Sequence, residues 1–183
     1  ELCLRGRIDR VDKGELDDRL YLRIIDYKSS NQSLSLEEVY YGIALQMLTY
    51  LHVVLEQSHK WLKMSATPAG RLYFHVHDAM LSDAENLSEE KIEQELFKKY
   101  KMKGLVLSDP DVAILMDENL SSGKSDIIPV RIKKDGNFYA NASVADQATF
   151  QLLRNYIENL IKQAGIHITS GKIELNPYEN EKG

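Results

Sequence analysis

The sequence predicts an α/β fold in which a central mixed sheet is flanked by helices. Two apolar runs near the start read as neighbouring strands, and the stretch after them repeats apolar residues at helical spacing. Strand-like and capped helical segments then alternate through the rest of the 183 residues. With 43% hydrophobic residues the chain can bury one sizeable core, and residues 1–183 read as a single domain.

The first strand is expected over Leu2 to Val11, with Asp12, Lys13 and Gly14 beginning the turn that lets the chain return as Tyr21 to Lys28. Side chains alternate sides along a strand, so Leu20, Leu22, Ile24, Asp26 and Lys28 share one face. An acid and a base therefore end an apolar row. A carboxylate buried there needs a positive partner, and the candidates are the Lys28 ammonium and a divalent cation. Taken alone, D-x-K describes an ordinary ion pair at a strand end. The hairpin adds a second acid, because it puts Asp9 on the strand beside Asp26. Two carboxylates, a backbone carbonyl and waters make a hard oxygen set that suits Mg²⁺ or Mn²⁺.

A helix follows, capped by Ser35 or Asn31, with Glu37 and Glu38 at its positive end. Apolar residues recur through Val39, Tyr40, Ile43, Ala44, Met47, Leu48, Leu51 and Val54, which predicts one continuous element. Gln46 interrupts that stripe and stands four residues before Tyr50, so the two share a helix face. By itself such a pair is a hydrogen bond at the edge of a core. Its arrival some twenty residues after Asp26-Tyr27-Lys28 gives it a further meaning.

The remaining elements read as scaffold. Arg71 to His77 is a strand, Ser88 opens a helix to about Tyr100, and Asp109-Pro110 opens a shorter one. Ile127 to Lys133 and Asn137 to Ala140 form a hairpin joined at Asp135-Gly136. A long helix covers about Ala145 to Ala164 and ends at Gly165. Leu81 to Ser88 and Asn119 to Asp126 are the more polar segments and read as loops.

Composition narrows the chemistry. No apolar run reaches the length of a membrane span and no signal peptide is visible, so a soluble cytoplasmic protein is expected. Cys3 is the one cysteine, which excludes an intramolecular disulfide, and it reads as a small apolar side chain inside the first strand. A net charge of −5 argues against a tight grip on nucleic acid by this chain alone, since phosphate neutralisation by Lys and Arg supplies most non-specific affinity. Basic residues are nevertheless grouped at Lys98, Lys99, Lys101 and Lys103, and at Arg131, Lys133 and Lys134. Each group reads as a solvated helix end or strand face. Gly123-Lys124-Ser125 imitates the end of a phosphate-binding loop, but Glu118 stands where that loop needs its first glycine and no apolar strand leads into it. His75 and His77 share a strand face beside Asp78, but no further His or Cys supports zinc, and an ordinary strand is expected.

Gly6-Arg7-Ile8-Asp9-Arg10, Ile24-Ile25-Asp26-Tyr27-Lys28 and Gln46-Met47-Leu48-Thr49-Tyr50, in that order and spacing, resemble the motifs of RecB-type nucleases in the PD-(D/E)XK superfamily. R-I-I-D-Y-K-S-S, E-E-V-Y-Y-G-I-A-L-Q-M-L-T-Y-L and A-T-P-A-G-R-L-Y-F-H-V-H-D are similar, more closely, to the C-terminal nuclease domain of the AddB (RexB) family. The likeness runs over nearly the whole chain. It implies a restriction-endonuclease-like core in which Asp9, Asp26 and the Tyr27 carbonyl bind catalytic Mg²⁺ or Mn²⁺. Lys28 then orients water or stabilises charge on the phosphate, while Gln46 and Tyr50 support the site and the nucleic acid backbone.

The resemblance also implies DNA as substrate, cleavage of the strand ending 5′, an AddA (RexA)-type helicase-nuclease partner, ATP-driven unwinding and a place in double-strand break repair. Two parts of the family pattern are missing from this sequence. The superfamily's further acid or histidine on a helix before the first strand is not included, so an incomplete metal shell and a weakly active or inactive fragment are expected. The family's four-cysteine 4Fe-4S cluster, present in the intact protein, is not expected here, because a cluster needs four ligands and only Cys3 is available. A nuclease-fold module that holds DNA or a partner subunit without cutting is the alternative, and a hydrolase of another phosphodiester is a third. Keeping Asp9, Asp26, Lys28, Gln46 and Tyr50 together favours catalysis.

Overall fold

The computed structural model describes residues 3–77 and 88–174. The elements in order are β1 (Arg10–Leu16), β2 (Arg19–Lys28), α1 (Leu36–Tyr40), α2 (Gln46–Leu62), β3 (Ala66–His75), α3 (Glu89–Lys99), β4 (Lys103–Leu107), α4 (Pro110–Met116), β5 (Gly123–Lys124), β6 (Arg131–Ile132), β7 (Val144–Ala145) and α5 (Gln147–Thr169). Among the described residues, five strands form one mixed sheet in the order β1-β2-β3-β4-β7. β1 runs antiparallel to β2, β2 parallel to β3, β3 antiparallel to β4, and β4 parallel to β7. The expected α/β architecture is therefore the observed one.

β2 is an inner strand because both its faces are apolar. Leu20, Leu22 and Ile24 join Met47, Leu51, Val54 and Leu55 of α2 and Phe150 of α5 in one cluster. Ile25 instead meets Leu72, Val106, Ile128 and Ile132 in another. Each of these side chains contributes about 1.5–3 kcal/mol on burial, so the sheet is fixed from both sides. A third cluster of Val39, Leu48 and Ile157 ties α1 and α5 to α2.

Several boundaries differ from expectation for physical reasons. The hairpin turns at Asp17 and Asp18, both at positive φ, and not at Asp12 to Gly14. Two successive left-handed residues match the twist of a two-residue hairpin. Gly14 lies inside β1, where a Cβ would come within 2.6 Å of Leu115 Cδ2, so it marks the close approach of α4 to the strand. β1 also starts later than expected, which leaves Cys3 outside it and exposed.

The single helix expected after Ser35 is two. Ser35 does cap the first, its Oγ accepting from the Glu38 N–H at 3.1 Å. Gly42 then adopts φ +79°, with its N–H donating to Val39 O at 3.1 Å and the Ile43 N–H to Glu38 O at 2.7 Å. This paired closure ends α1, and α2 restarts at Gln46.

β3 begins at Ala66, ahead of the expected Arg71, and β4 and β7 are strands that the sequence pattern does not predict. β4 is five residues long and β7 two, too short for an alternating pattern to stand out. The expected hairpin shrinks to an Ile132–Phe138 bridge with its turn at Asp135-Gly136, while β6 pairs with β5. α5 runs through Gly165, which is buried, and ends before Gly171 at φ +71°. Leu2, Leu81 to Leu87 and Asp78 lie outside the described residues. No described helix is long and apolar enough to cross a membrane.

Candidate functional site

The apolar row of β2 ends as its alternation dictates, with Asp26 and Lys28 on the face that meets α2. Asp26 is 4% exposed, and its Oδ2 lies 2.7 Å from the Lys28 Nζ. That oxygen is buried, and the Lys28 ammonium is its ion-pair partner. An ionised carboxylate has more acceptor capacity than one ammonium fills, and a hard cation is a partner that would take up the rest. The Asp26 contact raises Lys28 above the ordinary lysine value against the lowering effect of burial, with Asp9 adding to the same direction. Lys28 is thus a fixed cation at neutral pH and not a proton acceptor.

Asp9 immediately precedes β1, whose ladder begins at Arg10 opposite Ile25. On the β1 side, where the ladder has not begun at this point, the Tyr27 N–H donates to Asp9 Oδ2 at 3.0 Å. In a strand the N–H and C=O of one residue project to the same side, so the Tyr27 carbonyl is directed to the edge that Asp9 occupies. Asp9, Asp26 and the Tyr27 carbonyl are accordingly brought to one end of the sheet. No third His, Cys, Asp or Glu joins a metal-sized cluster among the described residues.

Gln46 completes the polar side. Its Oε1 accepts from Lys28 Nζ at 3.1 Å, and its Nε2 donates to the Tyr50 hydroxyl at 3.2 Å. The break at Gly42 matters here, because it makes Gln46 the first residue of α2 and brings that helix's positive end to Lys28. Since the Tyr50 oxygen already accepts from Gln46, its own proton is available to an acceptor in the open site. The chain Asp26–Lys28–Gln46–Tyr50 orients one ammonium and one hydroxyl beside two acids.

Arg71 and the Asp12 cluster had no clear signal in the sequence, whereas the His75–His77 and Gly123-Lys124-Ser125 motifs did. Arg71 on β3 is 1% exposed, with Nε and Nη2 unpartnered among the described residues, and burial lowers it below the ordinary arginine value. Asp12 binds both Arg10 and Arg23, at 2.7 and 2.8 Å. His75 and His77 each donate one ring N–H to a carbonyl, of Ser29 and of His75 respectively, both at 3.1 Å. The Ser125 hydroxyl is committed to Asp117 and to the Ile127 and Ile128 N–H groups, so Gly123-Lys124-Ser125 forms a structural turn.

A family model described as the PD-(D/E)XK nuclease superfamily matches residues 1–180. The chain is 57% identical over 182 residues to an ATP-dependent helicase/deoxyribonuclease subunit from Oceanobacillus iheyensis, covering 100% of this chain and 16% of that protein. Subunits of the same name from Bacillus mycoides and Bacillus pumilus are 53% and 50% identical over 176 residues, covering 95% and 96% of this chain and 15% of each relative. The chain therefore spans about a sixth of the length of the curated relatives it matches.

Proposed function

Because this chain belongs to the PD-(D/E)XK nuclease superfamily, we propose that it is the nuclease domain of a helicase-nuclease subunit and hydrolyses DNA phosphodiester bonds with Mg²⁺ or Mn²⁺. The observation that carries this reading is the buried Asp26 carboxylate, ion-paired to Lys28 at the strand end that Asp9 and the Tyr27 carbonyl also reach. Asp9, Asp26 and the Tyr27 carbonyl would hold the cation. When bound, it would lower the pKa of water and polarise a phosphoryl oxygen.

The protein's own groups do the rest. The Lys28 ammonium, fixed between Asp26 and Gln46, donates to the phosphate oxygen or the attacking water and opposes the charge that grows in the transition state. Gln46 holds Lys28 and Tyr50 in register, and the Tyr50 hydroxyl donates to the DNA backbone. Following the family resemblance, the strand cut is the one ending 5′, the partner is an AddA-type subunit, and the setting is double-strand break repair in the cytoplasm.

The test is release of nucleotides from single-stranded DNA with Mg²⁺ or with EDTA, by wild type and Asp26→Asn. Cleavage abolished by both EDTA and Asp26→Asn is expected. Cleavage that survives Asp26→Asn overturns the assignment, and DNA binding without cleavage in any metal by the full-length subunit means a non-cutting module.

A further inference from the structure

Beside the Asp26–Lys28 pair, on the side away from Asp9, a pocket of about 230 Å³ is lined by Asn31, Gln32, Tyr73, His75, His77, Lys99, Lys101 and Lys103. Its position follows from the sheet register. Tyr73 pairs with Asp26 and His75 with Lys28 across the parallel β2–β3 ladder, and Lys103 pairs with Tyr73 across β3–β4. The pocket thus starts one strand, about 4.8 Å, from the proposed catalytic pair.

Its chemistry is one-sided. Three lysines and two histidines line it, and among the described residues no acid does, in a chain whose net charge is −5. Lys103 Nζ donates to Asn31 Oδ1 at 2.7 Å, a neutral acceptor, and no acid pairs with it among the described residues. Lys101 is held by the Ser125 carbonyl, also neutral. The buried Arg71 guanidinium, with two nitrogens unpartnered among the described residues, lies 5.8 Å from the ring of the lining residue Tyr73 and adds positive field in a low-dielectric setting. Aromatic faces flank the lysines. The His75 and His77 rings stack at 4.2 Å, and Tyr100 lies 5.3 Å from His77 and stacks on Phe74 at 6.0 Å.

Cationic groups for a backbone beside stacked rings for bases are the two requirements of single-strand recognition. We propose that this pocket is a single-stranded DNA subsite, in which Lys103 and its neighbours hold a phosphate adjacent to the one being cut and the His75–His77–Tyr100 ladder receives a base. The inference rests on the nuclease reading above. It makes Lys103 a substrate-positioning residue with no part in bond breaking.

The test titrates fluorescein-labelled oligothymidylate against the 183-residue chain between about 50 and 200 mM salt. Lys103→Gln is expected to weaken binding about tenfold, the size of one charge-assisted hydrogen bond, and to reduce the salt slope by about 0.7. Lys103→Arg keeps both close to wild type, as does Lys134→Gln, an exposed lysine outside the pocket lining. Each variant's thermal unfolding is measured alongside. Equal binding by wild type and Lys103→Gln overturns the subsite, and so does an equal loss in Lys134→Gln, which would reduce the effect to net charge. Failure of the nuclease reading is separate: Asp26→Asn would leave cleavage unchanged while Lys103→Gln still weakened binding.

Discussion

Replacing Lys28 by methionine separates its two roles, holding Asp26 and acting on the phosphate. At 2.7 Å and an effective dielectric of about 20, the Lys28–Asp26 attraction is roughly 6 kcal/mol before the opposing cost of desolvation. Removing one partner of a fully buried pair costs about 3–5 kcal/mol. The Lys28 side chain is 29% exposed while that of Asp26 is 5% exposed, so water relieves part of this and about 2 kcal/mol is expected. For a chain of this size that lowers the melting temperature by about 4–8 °C.

The stability contribution has a definite pH signature. Because Lys28 is raised in the fold, its contribution is fully present below the unfolded lysine value and is lost as pH rises through the folded one. Wild type and Lys28→Met should therefore converge only in strongly alkaline solution. Asp26→Asn/Lys28→Met removes the orphaned charge and should recover most of the lost stability. Catalysis should not recover: loss of a transition-state contact lowers turnover by about 10² or more, roughly 2.7 kcal/mol, in both variants. Thermal unfolding of the 183-residue chain and DNA cleavage by the complete complex read the two effects. Unchanged cleavage at this site in Lys28→Met would refute the catalytic role and leave Lys28 as a structural counter-ion.

Calorimetric titration with Mn²⁺ should give weak binding heats for wild type that vanish in Asp26→Ala and fall in Asp9→Ala; equal heats in wild type and Asp26→Ala would remove the metal site. Asp12→Asn should destabilise by about 1–2 kcal/mol, because two arginines lose a charged acceptor that is partly exposed. Burial opposes ionisation of Asp12, but Arg10 and Arg23 outweigh it and lower its pKa, so its stabilisation is present above the unfolded aspartate value and is lost as acid titrates the folded carboxylate. The difference between Asp12→Asn and wild type in denaturant melts should accordingly shrink at low pH. Gly42→Ala should cost about 1 kcal/mol, since alanine is strained at the left-handed φ of +79°, and it should lower cleavage by shifting Gln46; full stability and activity would show that the α1–α2 break is not set by Gly42.

Local periodicity was enough to put four of the six candidate site residues on their elements. The alternation from Leu20 to Lys28 puts Asp26 and Lys28 at the end of a buried row, and the four-residue spacing of Gln46 and Tyr50 puts them on one helix face, because strand and helix periods are fixed by backbone sterics. The α/β class follows from the same patterns. Gly42 carries a legible signal, a glycine inside a helical stripe, but its neighbours Tyr40 and Ile43 keep the apolar period intact across it. Relations between segments far apart in the chain had to wait for the folded molecule. Gly14 reads as a turn because the Leu115 side chain that demands a glycine there lies about a hundred residues on. β4 and β7 are too short to announce themselves, yet β4 carries Lys103 to Tyr73 and so turns an ordinary run of lysines into one wall of a pocket. Arg71 reads as a surface charge in any local window, and only a sheet covered on both faces buries it. Side-chain alternation is written in the chain, whereas register, burial and the meeting of charges are set by which strands pair.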